Sequence, residues 1–412
     1  MHDPVSPLLL RLAIVLGAAK LAGWVAVRMR QPAVLGEIVV GILLGNLALL
    51  GIHGLDPIKT DPTLAILASL GVIVLLFEVG LQSTVKEMLS VGRSSGLVAT
   101  LGVITPLLLG WGVAAWLFPE ESTLVHVFLG AVLTATSIGI TARVLRDLGF
   151  SQTIEARIIL GAAVLDDVLG LTILSALTGI ITAANQGEPV STLAIVWISA
   201  KALGFLLVSI LLGLWLTPPL LDLASRMRVT GMLLTTGLVF CFVLAYLAAR
   251  VGLSPIVGAF AAGLILEPQQ FRVFEEGRET SIESLLHPIS TFLVPIFFVL
   301  TGIRVELGAF ADSRIALLAV TLTVAAWIGK QACSLGVLER GTNRLAVGLG
   351  MVPRGEVGLI FANVGATLMI AGRPVITPEL YSAAVIMVIL TTLVTPAALK
   401  WSLTRGPHGR GT

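Results

Sequence analysis

Asp166 and Asp167 stand side by side in the run Gly161-Ala-Ala-Val-Leu-Asp-Asp-Val-Leu-Gly170. The surrounding stretch, about 154–184, is otherwise apolar and long enough to cross a bilayer. A carboxylate at membrane depth costs about 2.5 kcal/mol or more, and two adjacent ones double the difficulty. Such groups persist where they face a water-filled cavity and bind something positive. The pair therefore points to transport of a cation or a proton.

Three further constellations could serve the same chemistry. Thr134-Ala135-Thr136-Ser137, continuing to Thr141, lies in the apolar segment before the aspartates. Its hydroxyls and Gly139 either bond to the backbone of an intact helix or mark an unwound stretch whose oxygens help hold a cation. Gly350-Met-Val-Pro-Arg-Gly-Glu-Val-Gly358 sits in a later apolar segment. Pro353 removes a backbone donor, Gly355 loosens the turn, and Arg354 and Glu356 bring charge to membrane depth. It reads as a second break in a helix, with a structural Arg354–Glu356 pair as the plainer alternative. Lys330, in Ala325-Ala-Trp-Ile-Gly-Lys-Gln331, is a third intramembrane charge, and a buried ammonium needs a partner. Either it snorkels to an interface or it pairs with one of the aspartates, giving a coupled pair able to exchange protons. Neighbours on a helix point about 100° apart, so the two aspartates cannot share a role. Asp167 lies on the face of Ala163 and Gly170, where small residues leave room for an ion, and Asp166 then turns toward Lys330. Helical geometry alone permits the reverse division. Two satisfied structural acids would be the bland alternative.

The elements that hold these residues follow from composition. The chain of 412 residues is 56% hydrophobic and 12% charged, with a mean hydropathy of +1.00. That is a polytopic membrane protein, since so little polar surface cannot cover a soluble domain. A net charge of +2 gives no electrostatic case for nucleic acid. Cys241 and Cys333 lie in apolar segments and read as small buried hydrophobes. The N-terminus lacks a basic leader region and a clear cleavage site, so it reads as a first spanning helix.

Apolar runs of about twenty residues predict about thirteen spans. They cover 6–28, 31–51, 62–82, 94–118, 122–147, 154–184, 192–217, 229–250, 253–267, 284–304, 313–338, 341–371 and 378–404. Arg28, Arg30, Lys86, Arg93, Arg143, Arg146, Arg157, Arg226, Arg228, Arg272, Arg278, Arg340 and Arg344 fall in alternate connections, and Lys400, Arg405 and Arg410 in the tail. The opposite connections carry Lys59, Arg250, Arg304, Arg314 and Arg373. The bias predicts an N-terminus outside and a C-terminus in the cytoplasm. An odd count also permits two inverted six-helix repeats joined by a linker helix. The echo of Pro32-Ala-Val-Leu-Gly-Glu-Ile-Val-Val-Gly41 in Pro255-Ile-Val-Gly-Ala-Phe-Ala-Ala-Gly263 supports this. Both proposed breaks then fall at position five of their halves, and two breaks at corresponding positions are the best sequence pointer to a transporter site. Lys201 lies in the linker and reads as packing or snorkelling. Glu37 and Glu78 fall outside the proposed core, with Arg11 and Lys20 as candidate partners. Residues 406–412 read as a short tail.

Taken together, the paired aspartates, the Thr-Ala-Thr-Ser segment, Lys330 and Met-Val-Pro-Arg-Gly-Glu-Val-Gly resemble the monovalent cation:proton antiporter-2 family. The likeness is greatest to its NapA-type sodium/proton antiporters, and it extends over essentially the whole chain. The resemblance implies an all-α NhaA/NapA-like antiporter fold and a homodimer in the inner (plasma) membrane. Residues 1–90 and 219–308 (helices 1–3 and 8–10) would form the dimer domain. Residues 91–188 and 309–405 (helices 4–6 and 11–13) would form the ion-carrying core, with 189–218 as the linker. Broken helices 5 and 12 would cross beside the aspartates, and the core would move like an elevator. It further implies electrogenic exchange, two protons for one sodium. Asp167 would bind Na+ or Li+, Asp166 would pair with Lys330, and Arg354 and Glu356 would lie near the crossing.

The reading is thus a secondary active Na+(Li+)/H+ antiporter rather than an enzyme, with no cofactor and no nucleic-acid partner. K+/H+ exchange by the same machinery is the alternative. Potassium-efflux relatives carry a further regulatory domain and tend to lack the Asp-Asp pair. A channel would not need two broken helices, a solute symporter would need a larger cavity, and an aspartyl protease needs aspartates facing each other from different helices.

Overall fold

The computed structural model describes residues 5–29, 31–51, 56–82, 92–137, 141, 144–145, 150, 153–185, 192–226, 231–251, 253–266 and 282–405. The Arg30, Lys86, Arg143, Arg146, Arg228, Arg272, Arg278 and Arg410 of the charge bias lie outside the described residues. So do Gly139, the 406–412 tail and the side chains of Arg226, Glu356 and Arg405.

Among the described residues the fold is helical throughout, apart from one small hairpin. The helices are α1 (Val5–Arg28), α2 (Ala33–Gly45), α3 (Pro62–Gln82), α4 (Arg93–Leu117), α5 (Thr123–Val132), α6 (Ile154–Asn185), α7 (Thr192–Arg226), α8 (Met232–Arg250), α9 (Pro255–Ile265), α10 (Ile282–Ile303), α11 (Ser313–Ala332), α12 (Arg344–Gly350), α13 (Glu356–Thr367) and α14 (Pro378–Arg405). Eight of these helical stretches are long and apolar enough to cross a membrane. Trp24, Trp116, Trp197 and Trp401 are exposed near helix ends, where indole rings suit a bilayer interface. This is a multi-pass membrane protein.

Local chemistry sets the helix starts. Asp61 caps α3, its carboxylate accepting from the amides of Thr63 (2.9 Å) and Leu64 (3.2 Å). Ser122, Asp312 and Asn343 cap α5, α11 and α12 in the same way. Pro255 opens α9 at a position where a missing N–H costs nothing.

Besides the fifth, whose helix ends at Val132, three expected spans differ in outline. The second ends early, at Gly45, where Asn46 takes over the terminal carbonyl of Ile42 and donates to Val305 (2.7 Å). The seventh runs on through Pro218 and Pro219, because the leucines beyond them continue the apolar pattern. The twelfth is not one helix but two, α12 and α13. It is followed by strands β1 (Met369–Ile370) and β2 (Arg373–Pro374), paired antiparallel. Ala371 (φ 49°) and Gly372 (φ 82°) both take the left-handed conformation that a two-residue hairpin turn demands.

The helix contacts fall into two sets. α1, α2, α3, α8, α9 and α10 pack on one another, while α4, α5, α6, α11, α12, α13 and α14 form the other set. α7 lies against α6, α8 and α9. Within the first set, glycines bring backbones into contact. Gly41 of α2 meets Gly302 of α10, and Gly263 of α9 meets Gly80 of α3. Gly36 lies against the Ala22 carbonyl of α1, and Gly258 against the Leu244 carbonyl of α8. A side chain at any of these would overlap backbone, so helix–helix packing here depends on small residues.

Candidate functional site

The second set carries every side chain that the sequence singles out for chemistry. α5 stops at Val132; Ala135, Thr136 and Ser137 have no regular secondary structure, and Thr141 is helical again. α12 stops at Gly350, residues 351–355 are non-helical, and α13 starts at Glu356. The two interruptions meet. The Ser137 amide donates to the Pro353 carbonyl (2.8 Å). The Thr136 hydroxyl donates to the Met351 carbonyl (3.2 Å) and that of Thr141 to the Gly350 carbonyl (2.6 Å). Each break therefore satisfies backbone groups that the other has freed, which is what allows non-helical chain at membrane depth. Thr134 does not join in; its hydroxyl bonds back to Ala131 (2.8 Å). Ala135 is buried in the same stretch.

Arg354 secures the second break. It is fully buried, and its guanidinium donates to the carbonyls of Met351 (3.3 Å) and Val352 (2.9 Å) at the end of α12 and of Ala326 (3.4 Å) on α11. A cation on the last carbonyls of a helix complements its dipole as well as its orphan acceptors. The Arg354 carbonyl in turn accepts from the Thr392 hydroxyl of α14.

Lys330 ends α11 and points at α6. Its ammonium donates to Asp166 Oδ1 at 2.8 Å, and both side chains have 0% exposure. Two buried charges are tolerable only in such contact. α4 makes room for the pair. Gly329 lies against Pro106, and a side chain at Gly102 would come 3.4 Å from Lys330 Nζ. Arg354 also acts electrostatically on both Asp166 and Lys330.

Asp167 is 3% exposed and turned away from Asp166. One helical turn on, Gly170 faces the ring of Phe361 on α13, 3.7 Å from where its Cβ would be. One turn back, Ala163 belongs to an apolar cluster with Val347 and Met351 of the α12 end. The Asp167 face of α6 therefore looks onto the second break. The arrangement sets one carboxylate on a fixed ammonium, and the helix that bears the second packs on both interrupted helices, whose crossing is rich in backbone and hydroxyl oxygens. Hard monovalent cations and protons both favour such oxygens.

Sequence reasoning passed over Gly102, Thr392 and Ala326, which act through space and carry no local pattern. The outer charges follow the proposed pairs only in part: Lys20 acts on Glu37 as expected, and the others sort differently. Arg11 bonds Asp61 rather than a glutamate. Glu37 is buried within the electrostatic reach of Lys20. Glu78 interacts with Ser290 and feels His287 and Glu283 of α10, not a basic residue of α1.

Known proteins bear on this site. The high-affinity Na(+)/H(+) antiporter NhaS3 of Synechocystis sp. is 36% identical, covering 95% of this chain and 89% of that protein. The Na(+)/H(+)-K(+) antiporter GerN of Bacillus cereus is 32% identical with 95% of each covered. A Na(+)/H(+) antiporter of Enterococcus hirae is 31% identical, with 95% of this chain and 96% of that one covered. The sodium proton antiporter MjNhaP1 of Methanocaldococcus jannaschii shares the fold, with a TM-score of 0.70 at 17% identity and 97% of each chain covered. The family model for the transmembrane sodium/hydrogen exchanger matches residues 16–405. The expected kinship with cation:proton antiporters holds at this broader level, and the chain belongs to the sodium/hydrogen exchanger family of transporters.

Proposed function

We propose that the chain is a secondary active Na+(Li+)/H+ antiporter that exports sodium against protons. The observation that carries this reading is the packing of α6, which bears both aspartates, on two interrupted helices, with Asp166 held by Lys330. Asp167 takes the cation, with Thr136, Ser137 and the carbonyls of the breaks as supporting oxygens. Proton and sodium compete for the same carboxylate, so each turn of the cycle exchanges one for the other. Arg354 fixes the break, and Glu356 opens α13 beside it.

Exchange is electrogenic in this reading. One net charge per cycle adds about 2.3 kcal/mol of driving force per 100 mV. Alternating access is by elevator, with α4–α6 and α11–α14 as the moving core and α1–α3 and α8–α10 as the static, dimer-forming domain. The two contact sets support that division. The inverted repeat around an α7 linker is supported by the glycines. Gly36, Gly41 and Gly80 stand the same number of residues before Gly258, Gly263 and Gly302, and each makes the contact its counterpart makes. The charge bias puts the α10–α11 connection outside and the C-terminus in the cytoplasm.

K+/H+ exchange is the second reading, favoured by the likeness to GerN, whose name includes potassium. The test is purified protein in proteoliposomes under an imposed pH gradient. Na+, Li+ and K+ are added in turn, with and without a valinomycin potential, while lumenal pH is followed. Sodium-driven, voltage-sensitive proton flux that vanishes in Asp167→Ala is expected. A response to potassium alone would transfer the protein to the second reading, and flux retained in Asp167→Ala would remove the site.

A further inference from the structure

Asn363 of α13 bridges the seam between the two helix sets with its side-chain amide. Its Nδ2 donates to the Thr301 hydroxyl of α10 (3.1 Å) and to the Leu359 carbonyl of its own helix (2.8 Å). Its Oδ1 accepts from Arg304 at the end of α10 (2.9 Å). The buried Tyr381 hydroxyl of α14 donates to the Thr301 carbonyl (3.1 Å) and lies 3.3 Å from the same Oδ1. A separate bond joins the Glu306 amide, just beyond α10, to the Ser382 hydroxyl of α14 (2.8 Å).

Thr301, Arg304 and Asn363 also line a cavity of about 310 Å³ between α3, α9, α10 and α13. Its lining includes Val72, Phe297, Leu300 and Ile360, and neither aspartate lines it. The cavity therefore ends in apolar side chains short of the ion site. α13 meets Asp167's face of α6 through Phe361, whereas α10 packs on α2 and α3. The Arg304 and Thr301 bonds to Asn363 thus run from the set that lacks the aspartates to a helix that meets the Asp167 face of α6.

We infer that Asn363, with Tyr381 and Arg304, is the latch of the outer gate, holding the conformation that is closed to the outside. The inference rests on the exchange reading and its outward placement of this face. For the aspartates to meet outside water, α13 and α14 must part from α10, and these bonds must break. Asn363 and Tyr381 are positioning residues, not ion ligands. Apart from the Arg304 contact their bonds are between neutral groups, so each resists opening only modestly, as a step repeated every cycle requires.

Ile360→Cys in a Cys241→Ala/Cys333→Ala background reads the gate directly, through its rate of labelling by a membrane-impermeant, charged thiosulfonate added outside. With Tyr381→Phe added, labelling is expected to quicken about two- to tenfold, the span of one neutral hydrogen bond, and with Asn363→Ala, which also removes the charged Arg304 bond, by more. In transport, KM for sodium should fall by a similar factor at the outer face and rise at the inner one, because opening outward depletes the inward state. Tyr381→Phe keeps the ring and tests the latch even if Asn363→Ala fails to fold. Unchanged or slower labelling, or KM values that move together at both faces, would overturn the latch. Labelling needs no transport, so a wild type that exchanges no cation yet shows latch-dependent labelling would sink the exchange reading and leave the latch standing.

Discussion

Lys330 Nζ lies 2.8 Å from Asp166 Oδ1, and neither side chain touches solvent. Removing one partner of such a pair strands the other charge in a medium that cannot solvate it. Lys330→Gln and Asp166→Asn should each lower stability by about 3–5 kcal/mol in the worst case, and the double variant should recover much of the loss. Thermal unfolding in detergent checks this cycle. In proteoliposomes Lys330→Gln should also change the pH profile or the voltage dependence of exchange. A variant with both profiles intact would reduce the pair to a structural role.

Two glycine contacts predict a contrast. A Cβ at Gly41 would overlap the Val299 carbonyl, and one at Gly263 the Phe77 carbonyl, whereas nothing lies within 4 Å of one at Gly17. Gly41→Ala and Gly263→Ala should each destabilise by about 1–3 kcal/mol through forced separation of backbones. Gly17→Ala should be neutral or gain up to about 1 kcal/mol of helix propensity. Tryptophan-fluorescence melts of the three variants decide it. Equal melting temperatures would mean that these helices can part without cost.

These glycines also show what was legible in the sequence. The span positions followed from apolar run length, and the breaks followed from hydroxyls, Gly139, Pro353 and Gly355, because both signals are local. The Pro-to-Gly echo between the second and ninth spans marked helices that later proved to make matching contacts. What stayed hidden was pairing across long separations. Nothing around Arg11 names Asp61 as its partner, and nothing around Asn363 points to Thr301 and Tyr381. The first half of the hairpin at 369–374 falls inside the expected twelfth span, 341–371, since Ala371-Gly372 is only a weak turn signal without its left-handed backbone.

Asp61 gives a prediction in pH. Burial pushes its carboxyl up, but the Arg11 guanidinium and the amides of Leu64 and Thr63 outweigh that and hold it below the ordinary value. A carboxylate with a lowered folded-state value stabilises the protein fully above the unfolded value, about 4. The contribution is lost as pH falls from there through the lowered value. Asp61→Asn should therefore melt below wild type at pH 7 and approach it near pH 3. A gap that stays constant over that range would mean that the carboxylate's charge contributes nothing to anchoring α1 on α3.

The crossing itself can be weakened without altering charge or volume. Thr136 and Thr141 send their hydroxyls to the carbonyls of Met351 and Gly350, on the opposite interruption. Valine keeps the shape and deletes the donor, leaving a buried carbonyl one bond short at about 1–3 kcal/mol. If the two breaks hold the ion oxygens in register, that loss should fall on the site before it falls on the fold. Thr136→Val and Thr141→Val should raise KM for sodium about tenfold or more, with the double variant worse than either, while melting temperatures drop by less than the Lys330→Gln single variant does. Lithium has a smaller radius and demands closer oxygens, so its KM should rise more steeply than that of sodium. If sodium and lithium suffer alike, or if both variants lose stability and leave KM unchanged, the hydroxyls serve only to hold two broken helices together.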